Sequence, residues 1–261
     1  MDLGLSDKLA VVTGASKGIG LAITRALVAE GARVIAAARD ATPELSALVE
    51  GGRAHYIAVD LSESEGPARL IEASREHGPV DVLVNNVGGV TPRLDGFLAV
   101  TDDDWLRSLT LTFLAAVRTT RAALPDMLAA GRGTIVNVSS VNAFLPDPTV
   151  IDYSAAKAAL TNFTKALSQE FGPKGIRVNA VSPGPVATGL WLGDNGVAAT
   201  VAHAQGGDAK AIAQAAANQM VTGRFTEPAE VADLVLLLAS ERAGNATGSD
   251  FMIDGGLIKT L

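Results

Sequence analysis

Tyr153 and Lys157 are the residues whose types and spacing best suit acid-base chemistry, since they lie four positions apart in the stretch DYSAAK at 152–157. On a helix, this spacing puts both side chains on one face. A free phenol has a pKa of about 10, and a fixed ammonium beside it stabilises the phenolate and lowers that pKa. Tyr153 is therefore predicted to exchange a proton with a carbonyl oxygen. The alternative is an ordinary helix surface, although the chain holds only one other tyrosine, Tyr56.

A glycine-rich loop early in the chain predicts a dinucleotide site. An apolar run at 9–13 leads into TGASKGIG at 13–20, a helical pattern follows at 19–29, and Gly31 ends it. In such a strand-loop-helix unit the glycines let the backbone approach a pyrophosphate, which the helix N-terminus attracts. The glycine spacing is G-x-x-x-G-x-G, for which tight packing turns are the alternative explanation.

The residues after the second apolar run, at 33–38, indicate which cofactor is preferred. Folds that bind NAD place an acidic side chain at this position to hold the ribose hydroxyls, whereas a basic one accepts the extra phosphate of NADP. Here Ala38 takes the acidic position and Arg39 follows it, while Lys17 adds a positive charge in the glycine loop. NADP is therefore expected, with NAD as the alternative because Asp40 could reach the ribose or neutralise Arg39. Solvated surface charge is the other explanation of Arg39 and Lys17.

Strand-like runs alternate with helical patterns along the whole sequence. The predicted strands are 9–13, 33–38, 56–59, 80–84, 134–138, 177–181 and 251–253. Each connection is long enough for one helix, which predicts an α/β fold: a Rossmann-like, doubly wound parallel sheet of seven strands with helices on both faces. We expect a single domain over 1–261. The Ala- and Gly-rich segment 184–222 is a candidate substrate lid, or else a surface helix and loop without chemical consequence.

Composition excludes several classes of function. The formal net charge of −7 and the lack of a basic tract argue against a nucleic-acid partner. With no cysteine and three scattered histidines, neither disulfides nor a metal site are expected. The sequence shows neither a signal-peptide pattern nor an apolar run that could cross a membrane, so a cytoplasmic location is expected. A hydrophobic share of 48% with only 19% charged residues favours an oligomer.

The motifs taken together resemble the short-chain dehydrogenase/reductase family, in its single-domain form, over essentially the whole chain. Each motif is loose, but their joint order and spacing are specific. The matching residues are TGASKGIG at 13–20, Asp60, NNVG at 85–88, Ser140, Tyr153 with Lys157, Pro183 with Gly184, and Thr188.

The resemblance implies hydride transfer between a nicotinamide and a carbonyl carbon. Tyr153 is then the acid/base, Ser140 hydrogen-bonds the substrate oxygen, and Lys157 holds the nicotinamide ribose while lowering the pKa of the tyrosine. Thr188 binds the carboxamide, and Asn86 stabilises the strand ends nearby. Family members are usually tetramers, so a homotetramer or homodimer is expected. The implied cofactor contacts are Gly14, Ser16, Lys17, Gly18, Ile19, Gly20, Arg39, Asp60, Leu61, Asn86, Val87, Gly88, Tyr153, Lys157, Pro183, Gly184, Val186 and Thr188.

One position departs from the family pattern. The family usually carries an asparagine in the helix after the Asn-Asn-x-Gly motif, where it holds a water of a proton relay, and this chain has Thr112 there. Since a hydroxyl has one donor where an amide has two, the relay is predicted to work but more slowly.

The substrate is expected to be a small carbonyl or alcohol compound of apolar character. Candidate lining residues are Asn142, Phe144, Leu145, Trp191 and Leu192. No arginine that would bind a substrate carboxylate is evident, although Arg93 could come near. Two other functions stay open: a dinucleotide-binding sensor or scaffold without turnover, and a dehydratase or epimerase that uses the same tyrosine and lysine.

Overall fold

A computed structural model describes residues 2–260, which form one seven-stranded sheet with helices on both faces. Every strand pair is parallel, and the order across the sheet is β3-β2-β1-β4-β5-β6-β7. The strands are β1 (Leu9–Thr13), β2 (Arg33–Ala38), β3 (Ala54–Ala58), β4 (Val82–Asn85), β5 (Gly133–Val138), β6 (Ile176–Pro183) and β7 (Asp250–Ile253). The predicted fold class, a doubly wound α/β sheet, is confirmed.

The helices divide between the two faces of the sheet. They are α1 (Gly18–Ala29), α2 (Pro43–Glu50), α3 (Gly66–Ser74), α4 (Asp102–Leu109), α5 (Ala115–Ala130), α6 (Ile151–Phe171), α7 (Gly189–Leu192), α8 (Val197–Gln205), α9 (Ala209–Ala217) and α10 (Pro228–Ala239). Residues of α1, α2 and α10 share one buried core with the sheet, and residues of α3, α5 and α6 share the other. Burial on both faces explains why strands such as β1 and β4 are almost uniformly apolar.

A polar ladder crosses the interior beneath α5 and α6. Asn85 of β4 donates to Thr120 Oγ1 at 3.0 Å and to Asn137 Oδ1 at 2.8 Å, and Asn137 of β5 donates to Thr164 Oγ1 at 2.8 Å. Asn85 and Asn137 are directly paired across the two strands. Buried amides cost free energy unless they are hydrogen-bonded, so these bonds favour the observed pairing, while Asn85 Oδ1 has no partner within residues 2–260.

The helix that begins after Thr101 is interrupted. Thr101 and Asp104 form a capping box at the start of α4, as its sequence indicates. Residues Thr110–Leu114 then form a π-helical turn, after which α5 continues the helix. A π turn inserts one extra residue and often marks a functional site. No helix among residues 2–260 is both long and apolar enough to cross a bilayer.

Candidate active site

The two central strands of the sheet, β1 and β4, end side by side where the strand order reverses. Thr13 Oγ1 accepts hydrogen bonds from the backbone N–H groups of Asn86 at 2.9 Å and Val87 at 3.0 Å. The Asn86 side chain donates to Thr13 O at 2.9 Å and to Gly14 O at 3.2 Å. These bonds join the glycine loop to the loop after β4. Ligands of doubly wound sheets bind in the crevice at such a reversal of strand order.

The glycine loop provides the backbone geometry that a dinucleotide requires. Gly14 has φ +67° and Gly18 has φ +55°, a region that L side chains rarely adopt. Helix α1 begins at Gly18, and its N-cap residue Lys17 makes no side-chain capping bond. The N–H groups of the first turn are therefore free to bind an anion such as a pyrophosphate. The residues present fit a nicotinamide dinucleotide.

Gly20 allows the tightest approach in this loop, because an added Cβ would lie 2.1 Å from Gly14 O and 2.5 Å from Asn86 Nδ2. We expect Gly20→Ala to push the loop away from the strand ends, lowering Tm and weakening NADPH binding at least about tenfold. Thermal unfolding and fluorescence titration with NADPH measure both effects. Gly172→Ala is the control, since a Cβ there meets nothing within 4 Å. An unchanged Kd in Gly20→Ala would contradict the expected loop displacement.

The residues expected at the adenosine end lie around the ends of β2 and β3. Lys17 and Arg39 are exposed, and Tyr56 donates to Arg39 O at 2.9 Å. Asp60 Oδ1 accepts from Ser62 N at 2.8 Å and Ser62 Oγ at 2.7 Å, and these bonds hold the pKa of the Asp60 carboxyl below its usual value. Within residues 2–260, Arg39 forms no ion pair with Asp40.

The segment after β6 returns to the glycine loop. A Cβ on Gly18 would lie 3.3 Å from Thr188 Cγ2, so these two predicted cofactor contacts are neighbours. Gly184, which follows Pro183 at the end of β6, donates its N–H to Ile253 O at 3.0 Å. Val186 is buried in the core and Leu61 is buried at the end of β3, so both are shielded from the surface. Ser16 is fixed through its carbonyl, which accepts from Thr42 Oγ1 at 2.8 Å.

The Tyr153 and Lys157 side chains share one face of α6, as their spacing predicts. Lys157 Nζ lies 5.6 Å from the centroid of the Tyr153 ring. Its ammonium donates to Val138 O, at the end of β5, at 2.6 Å, and only 3% of Lys157 is exposed. Strand β5 and helix α6 therefore hold the lysine between them, against the tyrosine.

The protonation of this pair differs from the sequence expectation. Burial raises the pKa of Tyr153 to about 12, and hydrogen bonding with Ser140 opposes that rise only in part. Burial also lowers the pKa of Lys157 to about 8. This direction is opposite to the lowering that was predicted from the neighbouring lysine, and the acid/base role of the pair stays a prediction. Burial disfavours the charged form of each group; Lys157 is buried and Tyr153 is partly buried.

Ser140 lies at the end of β5 and is held by the next turn. Its Oγ donates to Asn142 Oδ1 at 3.1 Å and accepts from the backbone N–H of Asn142 at 3.2 Å. Asn142, predicted as a polar contact to substrate, thus binds the serine in this structure. A substrate oxygen that accepts from Ser140 has to displace Asn142 Oδ1, since a hydroxyl has one proton to donate.

Thr112 lies within the π-helical turn and faces the lysine. A Cβ on Gly88 would lie 3.7 Å from Lys157 Nζ and 3.8 Å from Thr112 Oγ1, which brings all three residues to one place. Thr112 is 1% exposed, and its Oγ1 has no hydrogen-bond partner within residues 2–260. An unpaired buried hydroxyl beside an ammonium is suited to hold a water. Periodicity alone gives no signal for the π turn that directs Thr112 here.

The apolar residues expected to line the substrate pocket divide into two groups. Phe144 and Leu145 follow Ser140, Leu192 ends α7, and about half of each is exposed. Trp191 instead packs edge-on against Phe225, with ring centroids 5.3 Å apart, in a small cluster with Met220. Trp191 therefore packs the segment 184–222 against Phe225, whereas Leu192 keeps about half of its surface exposed.

Arg93 is engaged by carboxylates of the protein and is not free to bind an acidic substrate. Its guanidinium binds Asp152 Oδ2 at 2.6 Å and Asp104 Oδ1 at 3.0 Å. Both bonds help to raise its pKa. Neither the partners of Arg93 nor a role for the Asp152 side chain can be predicted from the sequence. No local pattern marks such a contact, because its partners are distant in the chain.

Comparison with known proteins assigns the family. The short chain dehydrogenase family matches residues 8–195, and the chain belongs to that family. It is an NAD(P)-dependent oxidoreductase that acts on CH–OH groups and their carbonyl counterparts. Within residues 2–260, no group of three or more His, Asp or Glu residues is placed to hold a metal ion.

Several characterised relatives match the chain over nearly its full length. The structure of L-sorbose reductase from Gluconobacter frateurii, complexed with NADPH and L-sorbose, is 37% identical with a TM-score of 0.92 and covers 100% of both chains. L-xylulose reductase of Bos taurus is 35% identical and covers 100% of both chains. The 7alpha-hydroxysteroid dehydrogenase of Bacteroides fragilis is 33% identical over 96% of this chain and 94% of the relative.

Proposed function

We propose that this protein interconverts a ketone and a secondary alcohol, prefers NADPH over NADH, and uses Tyr153 as the acid/base. The observation that carries the proposal is the proximity of Ser140, Tyr153 and Lys157 at the carboxyl ends of β5 and its neighbours. A protein that only held a dinucleotide would not need all three groups. Membership of an oxidoreductase family also disfavours the sensor or scaffold alternative.

The raised pKa of Tyr153 suits the reductive direction. At neutral pH the phenol keeps its proton and can donate it to a carbonyl oxygen that is gaining negative charge. Ser140 donates a second hydrogen bond to that oxygen once Asn142 releases it. A nicotinamide cofactor, when bound, would supply the hydride. Lys157, protonated at neutral pH because its pKa is about 8, stabilises the phenolate left on Tyr153.

The preference for NADPH is supported by two exposed cations. Arg39 and Lys17 lie beside the expected ribose position, and Arg39 is unpaired with Asp40 within the described residues. The 2′-phosphate of NADPH would accept charge-assisted hydrogen bonds from both. The L-sorbose reductase structure, which contains NADPH, agrees with this preference.

Removal of the Arg39 charge tests the cofactor preference. We expect Arg39→Ala to lower kcat/KM for NADPH about 10- to 100-fold and to leave kcat/KM for NADH nearly unchanged, because only NADPH carries the phosphate. Steady-state rates with both cofactors give the ratio. Arg25→Ala is the matched control, since Arg25 is an exposed arginine of α1. A wild-type enzyme that prefers NADH would contradict the proposal directly.

An apolar ketone is the proposed substrate class, because Phe144, Leu145 and Leu192 leave apolar surface exposed near the strand ends. The test is NADPH oxidation with L-sorbose, L-xylulose, a 7-oxosteroid and acetophenone, read as loss of nicotinamide absorbance. Faster turnover of the steroid or acetophenone supports an apolar pocket, and faster turnover of either sugar contradicts it. Absence of turnover with all four contradicts the proposed substrate class. The single-domain organisation, the homotetramer and the cytoplasmic location stay predictions.

A further inference from the structure

Arg93 joins three parts of the chain that surround the active site. It lies in the loop between β4 and α4, five residues after Gly88. Its Nη2 donates to Asp152 of α6 at 2.6 Å, its Nη1 binds Asp104 of α4 at 3.0 Å, and its backbone N–H donates to Thr149 O at 2.6 Å. We call Arg93, Asp104 and Asp152 the Arg93 clasp.

The Arg93–Asp152 pair is largely shielded from water, whereas 20% of the Asp104 side chain is exposed. The side chains of Arg93 and Asp152 are 14% and 3% exposed. Exposed ion pairs contribute little, whereas removing one partner of a buried pair leaves an uncompensated charge. Arg107, the other arginine on Asp104, is 74% exposed and provides a natural comparison.

Each partner of the buried pair has one more hydrogen-bonding atom to offer. Arg93 Nε and Asp152 Oδ1 are both buried and both lack a partner within residues 2–260. Nε and Nη2 lie on the same side of a guanidinium, the side that binds a carboxylate with two parallel bonds. Arg93 and Asp152 now share one hydrogen bond, from Nη2 to Oδ2. A second bond from Nε to Oδ1 would make the contact bidentate. A small approach of the β4–α4 loop to α6 would complete it.

We propose that Arg93 and Asp152 are positioning residues that set the place of Tyr153 relative to the loop containing Asn86, Val87 and Gly88. Asp152 immediately precedes Tyr153 in the first turn of α6, so a displacement of one moves the other. The clasp fixes this turn against the loop after β4. It touches neither the reacting atoms nor the glycine loop, and it acts only through the location of the phenol.

This proposal rests on the proposed role of Tyr153 and predicts a particular kinetic pattern. Displacement of a reacting group by about 1 Å can cost about 100-fold in rate. We expect Arg93→Met to lower kcat about 10- to 100-fold with the panel ketone that is reduced fastest, while the Kd for NADPH stays within about twofold. Arg93→Lys keeps the charge but loses the planar fork whose two nitrogens bind the two carboxylates, so it should recover part of the lost kcat.

Two controls separate positioning from loss of stability. Arg107→Met removes a guanidinium from the same Asp104 and should leave kcat within about twofold. Asp152→Asn keeps the side-chain volume, and it serves as the main variant if Arg93→Met does not fold. The proposal is overturned if folded Asp152→Asn or Arg93→Met keeps wild-type kcat, or if Arg107→Met loses as much.

A structural readout makes the test independent of substrate. In a crystal structure of Arg93→Met or Asp152→Asn, we expect the first turn of α6 to move and the Tyr153 hydroxyl to separate from Ser140; an unmoved Tyr153 overturns the proposal. Tyr153→Phe is assayed beside these variants. If Tyr153→Phe keeps its turnover, the proposed function fails. If it is inactive while Arg93→Met is fully active, only the clasp fails.

Discussion

Tyr153→Phe is expected to lower kcat about 10²- to 10⁴-fold, the usual range for removal of a general acid. The change deletes one hydroxyl and keeps the ring that lies beside Lys157 Nζ, so the fold and the cofactor site should persist. The expected result is lost turnover with an unchanged Kd for NADPH. Stopped-flow reduction of the fastest panel ketone, together with fluorescence titration, measures the two quantities separately.

The chain contains its own control for this substitution. Tyr56 is the only other tyrosine, and its hydroxyl donates to the backbone of Arg39 at the far end of the expected cofactor site. Tyr56→Phe should therefore keep kcat close to that of the wild type. Equal losses in both variants, or wild-type kcat in Tyr153→Phe, would remove the tyrosine from the chemistry.

Lys157→Met is expected to separate activity from stability. Turnover should fall about 100-fold or more, because no ammonium remains to stabilise the phenolate of Tyr153. Stability at pH 7 should rise, since burial lowers the pKa of Lys157 from 10.5 to about 8. At about 1.4 kcal/mol per pKa unit, that shift costs the folded state roughly 3 kcal/mol. The variant also loses the hydrogen bond to Val138 O, which offsets part of this stabilisation. We therefore expect its free energy of unfolding to exceed that of the wild type by about 1–2 kcal/mol.

The pH dependence of that gain identifies its cause. Between the folded pKa of about 8 and the unfolded value of 10.5, the unfolded chain binds more protons at Lys157 than the folded protein does. Wild-type stability therefore rises with pH in this window relative to the variant. Urea unfolding of both proteins at pH 7 and pH 10 should show the advantage of Lys157→Met shrinking. An advantage that does not change with pH would mean that packing, and not the buried charge, causes it.

The sequence is sufficient to predict the sheet, because a buried parallel strand has a strong local signature. Strand β2 has the predicted bounds, and the stretch DYSAAK at 152–157 lies on helix α6, as the spacing of Tyr153 and Lys157 indicates. The glycine loop and the capping box at Thr101 also depend on residues close together in the chain. Each requires particular residue types at short spacing, so each can be recognised in the sequence.

Features that depend on contacts between residues far apart in the chain could not be predicted from the sequence. The pKa of Tyr153 depends on how completely the folded chain excludes water, which motif spacing does not record. The π turn at Thr110–Leu114 has the residue types of an ordinary helix. Arg93 finds Asp104 and Asp152 only after three elements have packed together.

The polar ladder between β4 and β5 bears on how the chain avoids misfolding. Most strands are apolar on both faces, so a slip of one residue would still bury hydrophobic side chains and be penalised little. Asn85 and Asn137 remove that ambiguity, because a shifted alignment parts their amides from each other and from Thr120 and Thr164. Each unsatisfied buried amide then costs about 1–3 kcal/mol. The ladder thus favours the native strand register over alignments shifted by one residue, which hydrophobic burial alone would penalise little.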